Sequence, residues 1–98
     1  MASGKGTRVL KVLKALKGQS FSGISNKELA EILGVSPAQI SRDLDDLMTE
    51  GLVMKLDNGR FAHSIQMLQI AQAYSNQVAR LQEQISETNQ RIMAGTME

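Results

Sequence analysis

Apolar residues recur along this chain with helical spacing, broken once by a short stretch that alternates. Between Thr7 and Lys17, Val9, Leu10, Val12, Leu13 and Leu16 form one stripe, while Arg8, Lys11, Lys14 and Lys17 recur every third position on another side, and Gly18 ends the run. A second stripe, Leu29, Ala30, Ile32 and Leu33, stops at Gly34, and a third, Ile40, Leu44, Leu47 and Met48, stops at Gly51; both glycines suit the left-handed position after a helix. The starts are marked as well. Ser25 stands three residues before Glu28 and Ser36 three before Gln39, so each pair can form a capping box, and Pro37 falls at the first helical position, where its missing N–H costs nothing.

Only Gly34, Val35 and Ser36 remain between the two capped helices. Ala30 is small where two axes would approach, Gly34 can reverse the chain, and Ile40 can plug the angle between the helices, as a helix-turn-helix requires; a generic helical pair is the plainer alternative. After the second helix, Leu52 to Leu56 and Arg60 to Ala62 flank Asp57-Asn58-Gly59, a strong short hairpin signal. A two-residue turn at Asn58-Gly59 predicts that Asp57 faces Arg60, Leu56 faces Phe61 and Met54 faces His63, with an apolar face and an opposite face of Lys55, Asp57 and Arg60. Such a hairpin is a wing. Upstream, Phe21 and Ile24 bracket Ser22-Gly23, a short extended piece able to add a third strand.

The pattern therefore predicts a mainly α fold with a small β-hairpin: a winged helix-turn-helix over residues 7–63 after a flexible arm of residues 1–6, then a long helix over 64–93 and a disordered tail of 94–98. Within the long helix Met67, Ala71, Tyr74, Val78, Leu81, Ile85, Thr88 and Ile92 follow alternating steps of four and three. That seam would run roughly 45 Å as a helix. Its first turns, with Ile65, Leu68 and Ile70, are apolar enough to pack on the winged domain, but beyond Val78 the seam needs a partner. Folding back on its own domain is the alternative to self-association through Tyr74, Val78, Leu81, Ile85 and Ile92. Uncharged Gln77, Gln82, Gln84 and Asn89 flank the seam and give little control over pairing direction.

The runs VLKVLKALKG and ISNKELAEILGVSPAQISRDLDDLMTEGLV and the wing ending DNGRFAHSIQMLQIA together resemble the N-terminal DNA-binding domain of IclR-type transcriptional regulators, over roughly the first three quarters of the chain. MarR-type and ArsR-type proteins share the motifs more loosely. The resemblance implies that SPAQISR is the base-reading turn and that Ser36, Gln39, Ser41 and Arg42 lie in it. In IclR-type regulators a large effector-binding domain follows the DNA-binding domain, whereas here a helical tail follows.

Charge changes the picture because it is segregated. The net charge is only +1, yet residues 1–27 carry six basic and no acidic side chains, and residues 28–50 six acidic and one basic. Arg8 and Lys11 on the first helix are candidate phosphate contacts, since phosphate binding depends on local charge density; a solvated lysine face is the alternative. In the second helix of the motif Ala38, Gln39, Ser41, Arg42 and Asp45 look outward. Gln39 could bind adenine, Arg42 guanine or a phosphate, Ser36 or the helix start a phosphate, and Ala38 offers a methyl contact. Lys55, Asn58 and Arg60 on the wing could touch the adjacent backbone, unless Arg60 merely pairs with Asp57. Asp43, Asp45 and Asp46 would repel phosphates, which motivates a second reading: a winged-helix protein-interaction or assembly module.

Other chemistry is excluded by composition. With no cysteine and one histidine there is no zinc or iron–sulfur site and no Cys-His catalytic pair, and Gly4-Lys5-Gly6-Thr7 lacks the spacing of a phosphate loop. His63 more simply closes the wing's apolar face. We expect no enzyme activity, no cofactor and no metal, and, with lysines interrupting the only N-terminal apolar run, neither a membrane span nor a secretory signal, hence a cytoplasmic homodimer that binds double-stranded DNA.

Overall fold

A computed structural model describes residues 4–96 of the chain. In order they form α1 (Lys5–Ala15), α2 (Asn26–Leu33), α3 (Pro37–Thr49), β1 (Val53–Lys55), β2 (Phe61–His63) and α4 (Ile65–Thr96), the expected winged helix-turn-helix followed by a long helix. Two compact units result, one ending at Leu68 and one beginning at Gln69.

In the first unit, α1 to α3 surround a core of Val12, Leu16, Leu29, Ala30, Ile40, Leu44 and Leu47, closed by Ile24, Val53 and Phe61. Burial of these side chains is the main stabilising term. Both capping boxes form: the hydroxyls of Ser25 and Ser36 accept from the N–H groups of Glu28 and Gln39 at 3.1 and 3.2 Å, and the Glu28 and Gln39 side chains accept in return at 3.4 Å each. Gly34 ends α2 at φ +68°, and Ile40 fills the angle between α2 and α3 with no exposed surface.

The ends of α1 differ from expectation. It begins at Lys5 with Gly4 as its cap, so residues 5 and 6, expected in a flexible arm, are helical, while residues 1–3 lie outside the described part. Ion pairs made by Lys5 and Arg8 with α3 offset the poor helix propensity of Gly6. At the other end Leu16 and Lys17 bond to carbonyls three residues back, which tightens the turn before Gly18. Leu10, predicted in the apolar stripe, is 59% exposed. At about 100° per residue, Val9, Val12, Leu13 and Leu16 share one face and Leu10 falls beyond its edge.

The wing register is one residue from the predicted one. Val53 pairs with His63, Met54 with Ala62 and Lys55 with Phe61. Instead of a two-residue turn there is a three-residue loop, Asp57-Asn58-Gly59, in which only Gly59 takes positive φ, at +83°, and the Gly59 N–H bonds to the Leu56 carbonyl at 2.9 Å. Asn58 stays at negative φ because its side chain is occupied: Oδ1 accepts from the Arg60 N–H at 2.9 Å and Nδ2 donates to the Ser22 carbonyl at 3.3 Å. The expected third strand is reduced to one antiparallel bridge, Ile24 to Phe61, with two bonds of 2.8 Å.

Ser64 starts α4, accepting from the Met67 N–H and donating to the Gly51 carbonyl, which ties the helix start to the end of α3. Ile65 and Leu68 remain exposed and only Met67 is half-buried, so the first turn packs less than its composition suggested. In the second unit the helix continues through Thr96, beyond the expected end at residue 93, and takes in residues 94–96; residues 97–98 of the expected tail lie outside the described part. Tyr74, Leu81, Ile85 and Ile92 are exposed and Val78 is half-buried. Among the described residues no helix is long and apolar enough to cross a membrane.

Candidate nucleic-acid interface

The start of α3 carries the densest set of predicted base readers. Capping and Pro37 fix where the helix begins, and this puts Ser36, Ala38, Ser41 and Arg42 at the surface and Gln39 half-buried. Asn26, which sequence reasoning missed, braces this turn from α2: its amide donates to the Ser41 hydroxyl at 2.6 Å and to the Pro37 carbonyl at 3.2 Å. Asn at the first position of α2, directly after its cap, was the available signal. Arg42 has no ion-pair partner among the described residues. Gln39 already uses its carbonyl oxygen in the capping box, which leaves its amide nitrogen to donate.

Arg8 is not a free cation. Its Nε donates to Asp43 Oδ2 at 2.6 Å and its Nη2 to Oδ1 at 3.0 Å, a two-pronged pair in which Asp43 has no exposed surface. Those hydrogen bonds, the largest influence, hold the guanidinium above its ordinary pKa; burial opposes them and the carboxylate charge adds to them. Arg8, expected at a phosphate, is thus engaged by the buried Asp43. The aspartates also need correction, since Asp43 is internal, Asp46 lies 3.3 Å from Lys5, and Asp45 is left exposed. Sequence reasoning counted Asp43 among the residues that repel phosphates, although its spacing of three from Ile40 and four from Leu47 puts it on the core face. Beside the pair, Arg8, Lys11, Leu33, Val35 and Gln39 line a hollow of 320 Å³ between α1 and the turn.

On the wing, Lys55 is exposed, with its ammonium 5.8 Å from the centre of the Phe61 ring. Arg60 pairs with Glu28 at 2.7 Å rather than with Asp57, and also donates to the Ser22 carbonyl at 3.1 Å and the Gly23 carbonyl at 3.2 Å. The shifted register turns Arg60 back onto the domain. Glu28 is held below the usual carboxylate pKa, chiefly by hydrogen bonding to the Ser25 side chain; burial opposes this, and the Ser25 N–H and Arg60 reinforce it. His63 donates Nε2–H to the Leu13 carbonyl at 2.7 Å. Among the described residues no cluster of His, Cys, Asp or Glu could hold a metal ion.

The residues from Arg8 to Arg60, more than half of the chain, match the family model described as HTH domain. The chain belongs to the HTH domain family. No curated protein matches it. Its fold is also that of a crystal structure from Silicibacter sp. TM1040 assigned as an IclR transcriptional regulator, with a TM-score of 0.62 and 20% identity over 74% of this chain. The HTH protein spans only 29% of that chain, and at this identity the likeness is one of fold. It agrees with the winged helix-turn-helix expected from the IclR-type resemblance.

Proposed function

We propose that this HTH protein binds double-stranded DNA as a homodimer and regulates transcription, with α3 in the major groove. The observation that supports it most is the burial of Asp43 against Arg8, with Lys5 beside the exposed Asp46, which lowers the repulsion an acidic α3 would offer to phosphates. Arg42 and Ala38 read base edges, Gln39 donates through its amide, and Ser36 with the α3 start meets a phosphate. Lys11 and Lys55 contact the backbone, while Asn58, Arg60 and Ser41 position the elements that do so. Tyr74, Val78, Leu81, Ile85 and Ile92 join two chains, so that two weak readers act at linked half-sites. Its role is binding in the cytoplasm, not catalysis.

Selection of genomic duplex fragments by the purified protein tests this reading. Arg42→Ala should relax sequence preference, at about 1–3 kcal/mol for one base position, whereas Lys11→Ala should weaken all fragments alike. Equal weakening by both variants would reassign Arg42 to the backbone, and retention of no fragment would reject DNA binding.

A further inference from the structure

Phe21 is 98% exposed, the most exposed large apolar side chain of the described residues, and its loop is held rather than loose. The loop lies between Gly18 at φ +78° and Gly23 at φ +73°. Inside it, the Gly23 N–H bonds to the Gln19 carbonyl at 2.8 Å and the Ser22 hydroxyl to Gln19 Oε1 at 3.0 Å. From outside, Asn58 and Arg60 of the wing grip the carbonyl of Ser22, and Arg60 also grips that of Gly23. The approach at Gly23 is so close that an added Cβ would stand 2.9 Å from Arg60 Cβ and from Leu56 Cδ1. Six polar and steric restraints thus fix a phenylalanine in water, where it forfeits the burial that favours every other large apolar residue of the core.

Its surroundings indicate what covers it. The loop is stapled to the wing loop by wing residues, and Arg60 continues through Glu28 to the start of α2, where Asn26 braces the start of α3. A relay of hydrogen bonds and one ion pair thus links the Phe21 loop through the wing to the start of α3. No acidic residue occurs in residues 1–27, and Lys17 and Lys27 flank the loop in sequence, while the adjoining wing loop adds one exposed acid, Asp57, and Glu28 is paired with Arg60. An exposed aromatic side chain between two serines, in a segment whose only charges are basic, suits a nucleic-acid surface, with phosphates on the outside and base faces within.

We infer that Phe21 is a wedge that enters the minor groove beside the wing and partly unstacks a base step, which bends the duplex. This rests on the DNA-binding reading above and adds a residue that reads deformability rather than base edges. Pyrimidine–purine steps unstack most easily, so Phe21 favours sites with such a step at the wing.

The test uses genomic duplex fragments retained by the full chain, labelled with a dye pair at their ends and with 2-aminopurine in place of adenine at pyrimidine–purine steps. Binding of the wild-type protein should raise 2-aminopurine emission and shorten the end-to-end distance. Phe21→Ala should lose both signals and bind about tenfold more weakly, with the same salt dependence because no charge is removed; Phe21→Leu should keep most of each signal. With so little packing to lose, Phe21→Ala should melt with the wild type. If the wild type binds and Phe21→Ala matches it in affinity, emission and distance, the wedge is wrong although DNA binding stands. A change in sedimentation in place of these signals would mark Phe21 as a protein contact and equally overturn the wedge. If the wild type retains no DNA, both readings fall.

Discussion

Asp43 is a carboxylate in the core of a small domain, and it is tolerable there because Arg8 satisfies both of its oxygens. Breaking such a pair from one side strands the buried charge. Arg8→Met should therefore lower the Tm of the protein by on the order of 10–20 °C, and Arg8→Met combined with Asp43→Leu should recover most of that loss, since an apolar replacement of both partners leaves no uncompensated charge. A double variant as unstable as the single one would mean that the pair is not the source of the effect. Glu28 gives a pH signature. Its folded-state pKa is lowered, so its contribution to stability is present in full above the unfolded value of about 4.3 and disappears as pH falls through the lower folded value. Glu28→Gln should flatten the fall in stability over that acid range, as read from urea unfolding at successive pH values; an unchanged acid slope would contradict the assignment. Asp43 could be placed on the core face from its spacing to Ile40. Its partner 35 residues away could not, because nothing in the first helix separates Arg8 from the lysines that repeat with it.

The helices were legible where their ends carry chemistry. Two capping boxes, one proline and two left-handed glycines set α2 and α3 by local rules, and the structure follows them. The wing was legible as a hairpin but not in register, because Asn-Gly serves both a two-residue turn and a three-residue loop, and the choice was made by Asn58 bonding to Ser22, 36 residues earlier. Likewise α1 starts early because of α3, not because of its own sequence. The seam of α4 is a purely local pattern, and the single chain leaves Tyr74, Leu81, Ile85 and Ile92 exposed. Leu81→Asp with Ile85→Asp puts two charges into the proposed contact, so sedimentation should show a dimer for the wild-type chain and a monomer for the variant, with an unchanged core of the first unit. A dimer that survives both substitutions would exclude the seam as the contact.

At the scale of the whole chain, a net charge of +1 conceals a basic first quarter and an acidic second one. The acidic part was the strongest sequence argument for a protein-interaction module, and the pairing of Asp43 and Asp46 with α1 weakens it by accounting for two of the three α3 aspartates inside the domain. Lys11, Lys14, Lys17, Lys27, Arg42 and Lys55 of the first unit are all exposed. A protein that uses several such side chains on phosphates releases condensed counterions, and its affinity depends steeply on salt. The decisive measurement is the equilibrium binding of the full chain to genomic duplex DNA across a salt series. Affinity falling linearly on logarithmic axes, with a slope of about −0.9 for each phosphate neutralised, is the predicted result; absence of binding even at the lowest salt would contradict the account.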